Sequence, residues 1–219
     1  MLSEVLVELE EGIALPAYLA LPPKPDGFVL FAHGSGSSRH SSRNHYVARE
    51  LNAGNLATLL LDLLTPQEGA VDRVTGHLRF DIGLLTQRVI GATRWARKQP
   101  ALQPLPLGLF GASTGAAAAL IAAAALPSEI DAVVSRGGRP DLAGEHLSAV
   151  RAPTLLIVGS DDTAVIELNR QAAAQLLSPH ELVLVPGATH LFEEPGTLEE
   201  VARLSRAWFV RYLAKAAAH

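Results

Sequence analysis

A serine lies at the centre of a short, glycine-flanked motif in the middle of the chain. Gly111-Ala112-Ser113-Thr114-Gly115 follows an apolar run and precedes an alanine-rich segment. In this G-x-S-x-G pattern, small residues on both sides of the serine allow a sharp turn from strand to helix that exposes its hydroxyl. Such a serine can attack an acyl carbonyl, and the Thr114 N–H can face the oxyanion that develops. The alternative is an ordinary tight turn in which Ser113 caps the helix.

Two later segments supply the other side chains that a nucleophilic serine needs. Gly159-Ser160-Asp161-Asp162 and Gly187-Ala188-Thr189-His190 each follow a short apolar run, so the chain order is serine, aspartate, histidine. His190 would accept the proton of Ser113 and return it later in the reaction. Asp162 would fix the tautomer of the imidazole and stabilise its charged form.

A glycine-containing loop follows the first predicted buried strand. It carries Phe31-Ala32-His33-Gly34-Ser35-Gly36. A loop in this position can donate a second N–H to an oxyanion, and the Ser35 N–H is the candidate donor. His33 is expected to belong to the scaffold of the loop.

The same segment has an alternative interpretation as part of a dinucleotide site. Gly34-Ser35-Gly36 lies between a predicted strand and a predicted helix, and the acidic Asp62 follows the next strand, as in half of a Rossmann unit. Arg39 occupies the position of the third glycine, where a side chain would prevent close packing of helix on strand. The nucleophilic interpretation is therefore favoured.

The elements that must position these residues follow from the hydrophobic pattern. Nearly all-apolar runs, typical of strands buried on both faces, cover Phe28 to Ala32, Leu56 to Leu61, Leu105 to Phe110, Ala132 to Ser135, Thr154 to Val158 and Leu182 to Val185. An antiparallel hairpin, Glu4 to Leu9 with Ile13 to Leu21, is predicted to precede them. Helices are predicted at Asn44 to Asn52, Leu78 to Lys98, Thr114 to Leu126, Val165 to Leu177 and Leu198 to Ala214, with a short piece at Asp141 to Ala149.

This alternation of strand and helix predicts an α/β fold. The central sheet should be mostly parallel, with helices on both faces and the hairpin at its start. Loops that follow parallel strands meet at the carboxyl edge of the sheet, so the serine, aspartate and histidine loops should lie together there.

With these motifs in this order, the chain resembles the α/β-hydrolase superfamily, and most of all its dienelactone-hydrolase-like branch. The resemblance spans almost the whole chain and implies the α/β-hydrolase fold. It also implies a catalytic triad of Ser113, Asp162 and His190, and an oxyanion hole made of the Ser35 and Thr114 N–H groups. No cofactor and no metal are expected.

Two details refine this resemblance. The family spacing G-x-x-D-x-x-V fits Gly159, Asp162 and Val165, which favours Asp162 over the adjacent Asp161. The enzymes that give the branch its name use a cysteine nucleophile, whereas this chain contains no cysteine. The serine at the turn favours ordinary carboxylic esters over dienelactone.

Length and composition exclude several other kinds of protein. The chain has 219 residues, of which 48% are hydrophobic, and a net charge of −4. We expect one domain over residues 1–219, and we expect neither a nucleic-acid nor a membrane partner. No apolar run is long enough to cross a bilayer and no leader is evident, so a cytoplasmic location is expected. A homodimer is left open.

The strand-end loops also indicate what surrounds the site. Only 17 residues run from Arg136 to Ala152, too few for a cap domain, which predicts an open cleft. Cationic side chains are frequent in these loops: Arg39, His40, Arg43, His77, Arg79, Arg136 and Arg139. Arg136 and Arg39 are the candidates for contact with substrate, and Arg136 would bind a carboxylate or a phosphate. Alternatively, the arginines pair with Asp62, Asp81, Asp141, Glu193 or Glu194.

Together these features predict a serine hydrolase that cleaves a small or medium carboxylic ester through an acyl-enzyme. Thioester cleavage, lactone cleavage and acyl transfer are alternatives that would use the same triad. A binding protein that keeps the fold without the chemistry is the alternative from another class.

Overall fold

An eight-stranded sheet runs through the protein. The computed structural model describes residues 2–216, and their side chains except at positions 11, 215 and 216. The strands are β1 (Leu2–Glu8), β2 (Ala14–Ala20), β3 (Gly27–Ala32), β4 (Leu56–Leu61), β5 (Leu107–Ala112), β6 (Ala132–Arg136), β7 (Thr154–Gly159) and β8 (His180–Val185). Their order across the sheet is β1-β2-β4-β3-β5-β6-β7-β8, and β3 to β8 are parallel. β1 and β2 form the predicted antiparallel hairpin, and β2 joins β4 antiparallel.

Helices cover both faces of this sheet, which confirms the predicted architecture. They are α1 (Ser42–Ala53), α2 (Pro66–Thr75), α3 (Ile82–Arg97), α4 (Thr114–Ala125), α5 (Thr163–Ala173) and α6 (Thr197–Ala216), with short 3-10 helices at Glu10–Gly12, Leu78–Phe80 and Pro140–Ala149. One apolar cluster joins the sheet to α3, α4 and α5, and a second joins it to α1 and α6. The segment between β6 and β7 contains only the last of the 3-10 helices, as its length predicted.

Two helices differ from the sequence-based expectation. α2 was not predicted, because Asp72 is its only buried residue and no apolar stripe marks it. Its start is set instead by a capping box, in which Thr65 and Glu68 satisfy each other's backbone N–H groups. The long helix predicted from Leu78 is interrupted at Asp81, whose carboxylate accepts the Leu84 N–H and begins α3.

His33 fixes the loop after β3 to the loop after β4. Its Nδ1–H donates to the Gly34 carbonyl at 2.8 Å, and its Nε2 accepts the Leu63 N–H at 3.1 Å. Both bonds require a neutral imidazole that carries its proton on Nδ1. Burial lowers the pKa of His33, although the Gly34 hydrogen bond and the charge of Asp62 oppose this effect. The imidazole therefore stays neutral and holds the Gly34 loop against the sheet.

We expect this histidine to make stability depend on pH. In the unfolded chain His33 takes up a proton near pH 6.5, whereas in the folded protein it resists protonation, so the free energy of unfolding falls as pH drops below about 6.5. In His33→Gln this contribution is lost, and the slope of the free energy of unfolding against pH should decrease by up to about 1.4 kcal/mol per pH unit. Urea denaturation between about pH 5 and 8 measures it.

The matched control is His77→Gln, which replaces an exposed histidine of another loop and should keep the wild-type slope. Identical slopes for the wild type and His33→Gln would contradict the assignment.

Candidate active site

Ser113 occupies a strained turn between β5 and α4. Its backbone angles are φ 49° and ψ −122°, a region that costs a non-glycine residue about 1–3 kcal/mol. The Ser113 carbonyl accepts the N–H groups of Ala116 at 3.1 Å and Arg139 at 3.0 Å, which hold the turn in place. Its side chain makes no capping hydrogen bond to α4, so the alternative of a simple helix cap does not describe it.

The two glycines of the motif are required by close backbone contacts. A Cβ at Gly111 would lie 2.4 Å from Ala116 Cα, and a Cβ at Gly115 would lie 2.3 Å from the Ala32 carbonyl oxygen. Any side chain at either position would push α4 away from β5 or from β3. The strained turn can form only because both positions lack one.

Asp162 and His190 are joined by a hydrogen bond across the ends of β7 and β8. His190 Nδ1 lies 2.6 Å from Asp162 Oδ2, so Nδ1–H donates and Nε2 is left free for another partner. The neighbouring Asp161 instead accepts a hydrogen bond from Ser160 Oγ at 3.0 Å. The structure thus brings Asp162, and not Asp161, to the histidine.

Ser113 and His190 adjoin consecutive residues at the end of β6. The Ser113 N–H donates to the Arg136 carbonyl at 3.4 Å, and Arg136 pairs with Ala112 in the sheet. On the other side, a Cβ at Gly137 would lie 3.7 Å from His190 Cε1. The Ser113 turn and the His190 ring therefore lie beside two neighbouring residues, Arg136 and Gly137.

The loop that carries His190 is held by side chains that the sequence did not reveal. Thr189 donates its hydroxyl and its N–H to the carboxylate of Glu194, and these hydrogen bonds lower the pKa of Glu194. Phe192, with φ 56°, buries its ring beside Gly137. Neither Glu194 nor Phe192 belongs to a periodic hydrophobic pattern. Only the short spacing between Thr189 and Glu194 could have indicated the hydrogen bonds between them.

The predicted oxyanion donors lie beside Ser113. A Cβ at Gly34 would lie 2.9 Å from Ser113 Cβ, which puts the β3 loop against the nucleophile turn. Within residues 2–216, neither the Ser35 N–H nor the Thr114 N–H donates to another group. Both donors are therefore available to a ligand.

A cavity of about 430 Å³ opens beside this loop. Gly34 and Ser35 belong to its lining, and its other walls come from the loop after β4 and from α2. Five charged residues also line it: Arg39, Asp62, Asp72, Arg73 and Arg79.

Most arginines of the strand-end loops are paired with carboxylates. Arg39 contacts Asp62 and Glu4, Arg43 contacts Glu193, Arg79 contacts Asp72 and Arg139 contacts Asp141. Arg39 thus lines the cavity with its charge already compensated. These four arginines therefore form ion pairs within the protein, which was the alternative interpretation of the sequence.

Arg136 is different. It is 8% exposed, lies 5.9 Å from the centre of the Phe110 ring, and its Nη1 has no hydrogen-bond partner among residues 2–216. Burial and, to a lesser extent, the charge of Arg43 lower the pKa of Arg136 to about 10. At neutral pH it is a buried cation.

Neither a metal site nor a membrane-spanning helix is found among residues 2–216. This part of the chain has no group of three or more histidine and carboxylate side chains that could hold a metal ion. It also has no helix with the length and apolar character needed to cross a bilayer.

Known sequences and structures resemble this chain over most of its length. A protein of Mycobacterium tuberculosis, provisionally named a phosphoribosyl transferase, is 56% identical over 201 residues, which cover 92% of this chain. The chain spans only 44% of the length of that relative. More than half of the protein to which the name applies therefore lies outside the match.

Among solved structures, the dienelactone hydrolase from Anabaena variabilis is 54% identical, with a TM-score of 0.96 and coverage of 97% of this chain and 98% of that one. The esterase domain of a Rhodothermus marinus protein, at 23% identity, a TM-score of 0.78 and coverage of 97% and 100%, shares the fold.

A family model agrees with these similarities. The model described as "Dienelactone hydrolase family" matches residues 16–218. The chain therefore belongs to the dienelactone hydrolase family.

Proposed function

We propose that the protein is a serine hydrolase that cleaves small or medium carboxylic esters. The observation that carries this proposal is the 2.6 Å hydrogen bond between Asp162 and His190 at the sheet edge where Ser113 occupies its strained turn. Membership of the dienelactone hydrolase family supports a hydrolase, and the chain has no cysteine that could replace Ser113 as the nucleophile.

The first half of the proposed reaction forms an acyl-enzyme. Ser113 Oγ attacks the ester carbonyl while His190 Nε2 takes its proton, and the Asp162 carboxylate stabilises the imidazolium. The N–H groups of Ser35 and Thr114 stabilise the oxyanion of the tetrahedral intermediate. The bond to the alcohol oxygen then breaks, and the alcohol leaves with the proton from His190 Nε2.

The second half releases the acid. His190 Nε2 removes a proton from a water molecule, which attacks the acyl carbon and forms a second tetrahedral intermediate. When this intermediate collapses, Ser113 Oγ recovers the proton and the carboxylic acid leaves. The side chain of His190 is 40% exposed, so water reaches the acyl-enzyme, which favours hydrolysis over acyl transfer.

The size of the substrate is inferred from the open surroundings of the site. The short segment between β6 and β7 leaves the sheet edge uncovered, and the cavity lined by the proposed oxyanion donor Ser35 holds about 430 Å³. This volume is at the lower end of those that bind small molecules. Thioesters and lactones of similar size would react with the same groups.

Labelling of Ser113 tests the nucleophile. A fluorophosphonate probe should modify the wild type and leave Ser113→Ala unmodified, because only an activated serine reacts at a useful rate. Chromogenic esters with acyl chains of increasing length should be turned over by the wild type, with Ser113→Ala as the blank. A folded wild type that stays unlabelled, and shows no Ser113-dependent turnover of any ester, would contradict the proposal.

The two adjacent aspartates offer an internal comparison for the acid. Asp162→Asn should lower kcat by about 10³- to 10⁴-fold, because an amide cannot hold the imidazole in the same tautomer and charge state. Asp161→Asn should stay within about threefold of the wild type, since Asp161 contacts Ser160 and not His190. Equal losses in the two variants, measured with one ester, would reject the assignment of Asp162.

A further inference from the structure

One buried charge, that of Arg136, has no counterion in the part of the chain that the structure describes. Arg136 is 8% exposed, and no carboxylate of residues 2–216 forms an ion pair with it. Arg88, which is 5% exposed, shows the usual solution, since it pairs with Glu68 at 2.6 Å. An uncompensated cation in the interior is strongly unfavourable, because burial removes its hydration. Folding therefore buries Arg136 at a cost that the contact of its guanidinium with the Phe110 ring offsets only in part.

In the chain, Arg136 adjoins both the turn of the proposed nucleophile and the loop of the proposed base. The carbonyl of Arg136 accepts the Ser113 N–H, and the next residue, Gly137, packs against the His190 ring. The guanidinium lies over Phe110, on the face of the sheet that α1 and α6 cover. Its backbone thus ties Arg136 to the sheet edge at which the proposed substrate would bind.

The surroundings add positive charge. Arg43 lies in the first turn of α1, which contains no acidic residue, although the positive end of a helix dipole favours one. Its charge acts on Arg136, as the lowered pKa of Arg136 indicates. The nearest compensation is Glu193, which contacts Arg43 at 3.2 Å and is itself exposed.

The guanidinium also has donors available for a ligand. Nη1 is the one guanidinium nitrogen of Arg136 that is both fully buried and without a partner in the described chain. The edge formed by Nε and Nη2 is left for contact with a ligand. This edge can hold two oxygens of a carboxylate or phosphate in parallel hydrogen bonds.

We infer that Arg136 determines specificity by binding an oxyanion group of the substrate, a carboxylate or a phosphate, with the charge of Arg43 in support. The protein then prefers esters that carry such a group to neutral esters of the same size. This inference rests on the proposed ester hydrolysis, and it names the class of substrate.

Three esters of matched length test the preference: 4-nitrophenyl pentanoate, the 4-nitrophenyl monoester of glutarate, and 4-nitrophenyl 4-phosphonobutanoate. In Arg136→Met, kcat/KM should fall about 30- to 100-fold for an anionic ester and less than about threefold for the neutral one. Arg136→Lys should lie in between, because it keeps the charge and loses the fork. A larger loss for glutarate identifies a carboxylate site, and a larger loss for the phosphonate a phosphate site.

Arg139→Met is the matched control. It removes a cation from the same loop that is already paired with Asp141, so the ratio of anionic to neutral kcat/KM should stay at the wild-type value. Equal losses on neutral and anionic esters in Arg136→Met would overturn the inference.

Thermal unfolding separates this inference from the proposed chemistry. Without ligand, Arg136→Met should have a Tm at least about 2 °C above the wild type, because it removes an unpaired buried charge. Millimolar glutarate or inorganic phosphate should raise the Tm of Ser113→Ala and leave that of the double variant Ser113→Ala/Arg136→Met unchanged.

The two ideas can therefore fail separately. A Tm shift that depends on Arg136, without any Ser113-dependent turnover, would reject the hydrolase and retain the anion site. Ser113-dependent turnover that shows no preference for anionic esters, together with no Arg136-dependent Tm shift, would retain the hydrolase and reject the anion site. A lower Tm for ligand-free Arg136→Met would show that the guanidinium has a structural role and would also overturn the inference.

Discussion

The close contact between α4 and the sheet is the constraint on which the site depends. α4 is built largely of alanines that are fully buried, and small side chains let its first turn reach the Ala32 carbonyl through Gly115. The strain at Ser113, about 1–3 kcal/mol, is offset by the burial of this helix against the sheet. With larger residues on α4 the turn would relax, and Ser113 would move away from the Gly34 loop that now lies against it.

The charges at the carboxyl edge of the sheet fall into two groups with different consequences. Arginines that face carboxylates, such as Arg39 with Asp62 and Arg79 with Asp72, connect loops and add little net field. Arg136 has no such partner, so its field is not cancelled within the protein. The same side chain that lowers the stability of the fold can therefore attract an anion to the site. Residues that lower the stability of the fold but serve its function are common in binding sites.

The sequence predicted those parts of the structure that leave a local pattern. All-apolar runs predicted the parallel strands. Because the loops that carry Ser113, Asp162 and His190 each follow such a strand, they were predicted to lie at one edge of the sheet. α2 has a capping box but no apolar stripe, so hydrophobic periodicity could not find it. Glu194 and Phe192 act through contacts within a folded loop, and the lack of an ion pair between Arg136 and any carboxylate of residues 2–216 depends on tertiary packing. From the sequence alone, Arg136 could either pair with a carboxylate of the protein or bind an anionic group of the substrate.

The weak anchoring of α2 separates the cavity wall from the core. This helix is attached by ion pairs of Glu68 and Asp72 and by its capping box, while Val71 and Val74 remain exposed to solvent. Its residues 66–73 form one side of the cavity, yet they contribute no side chain to either large apolar cluster. Substitutions there can alter the shape of the cavity without repacking the sheet. Such substitutions would leave intact the sheet that carries Ser113, Asp162 and His190.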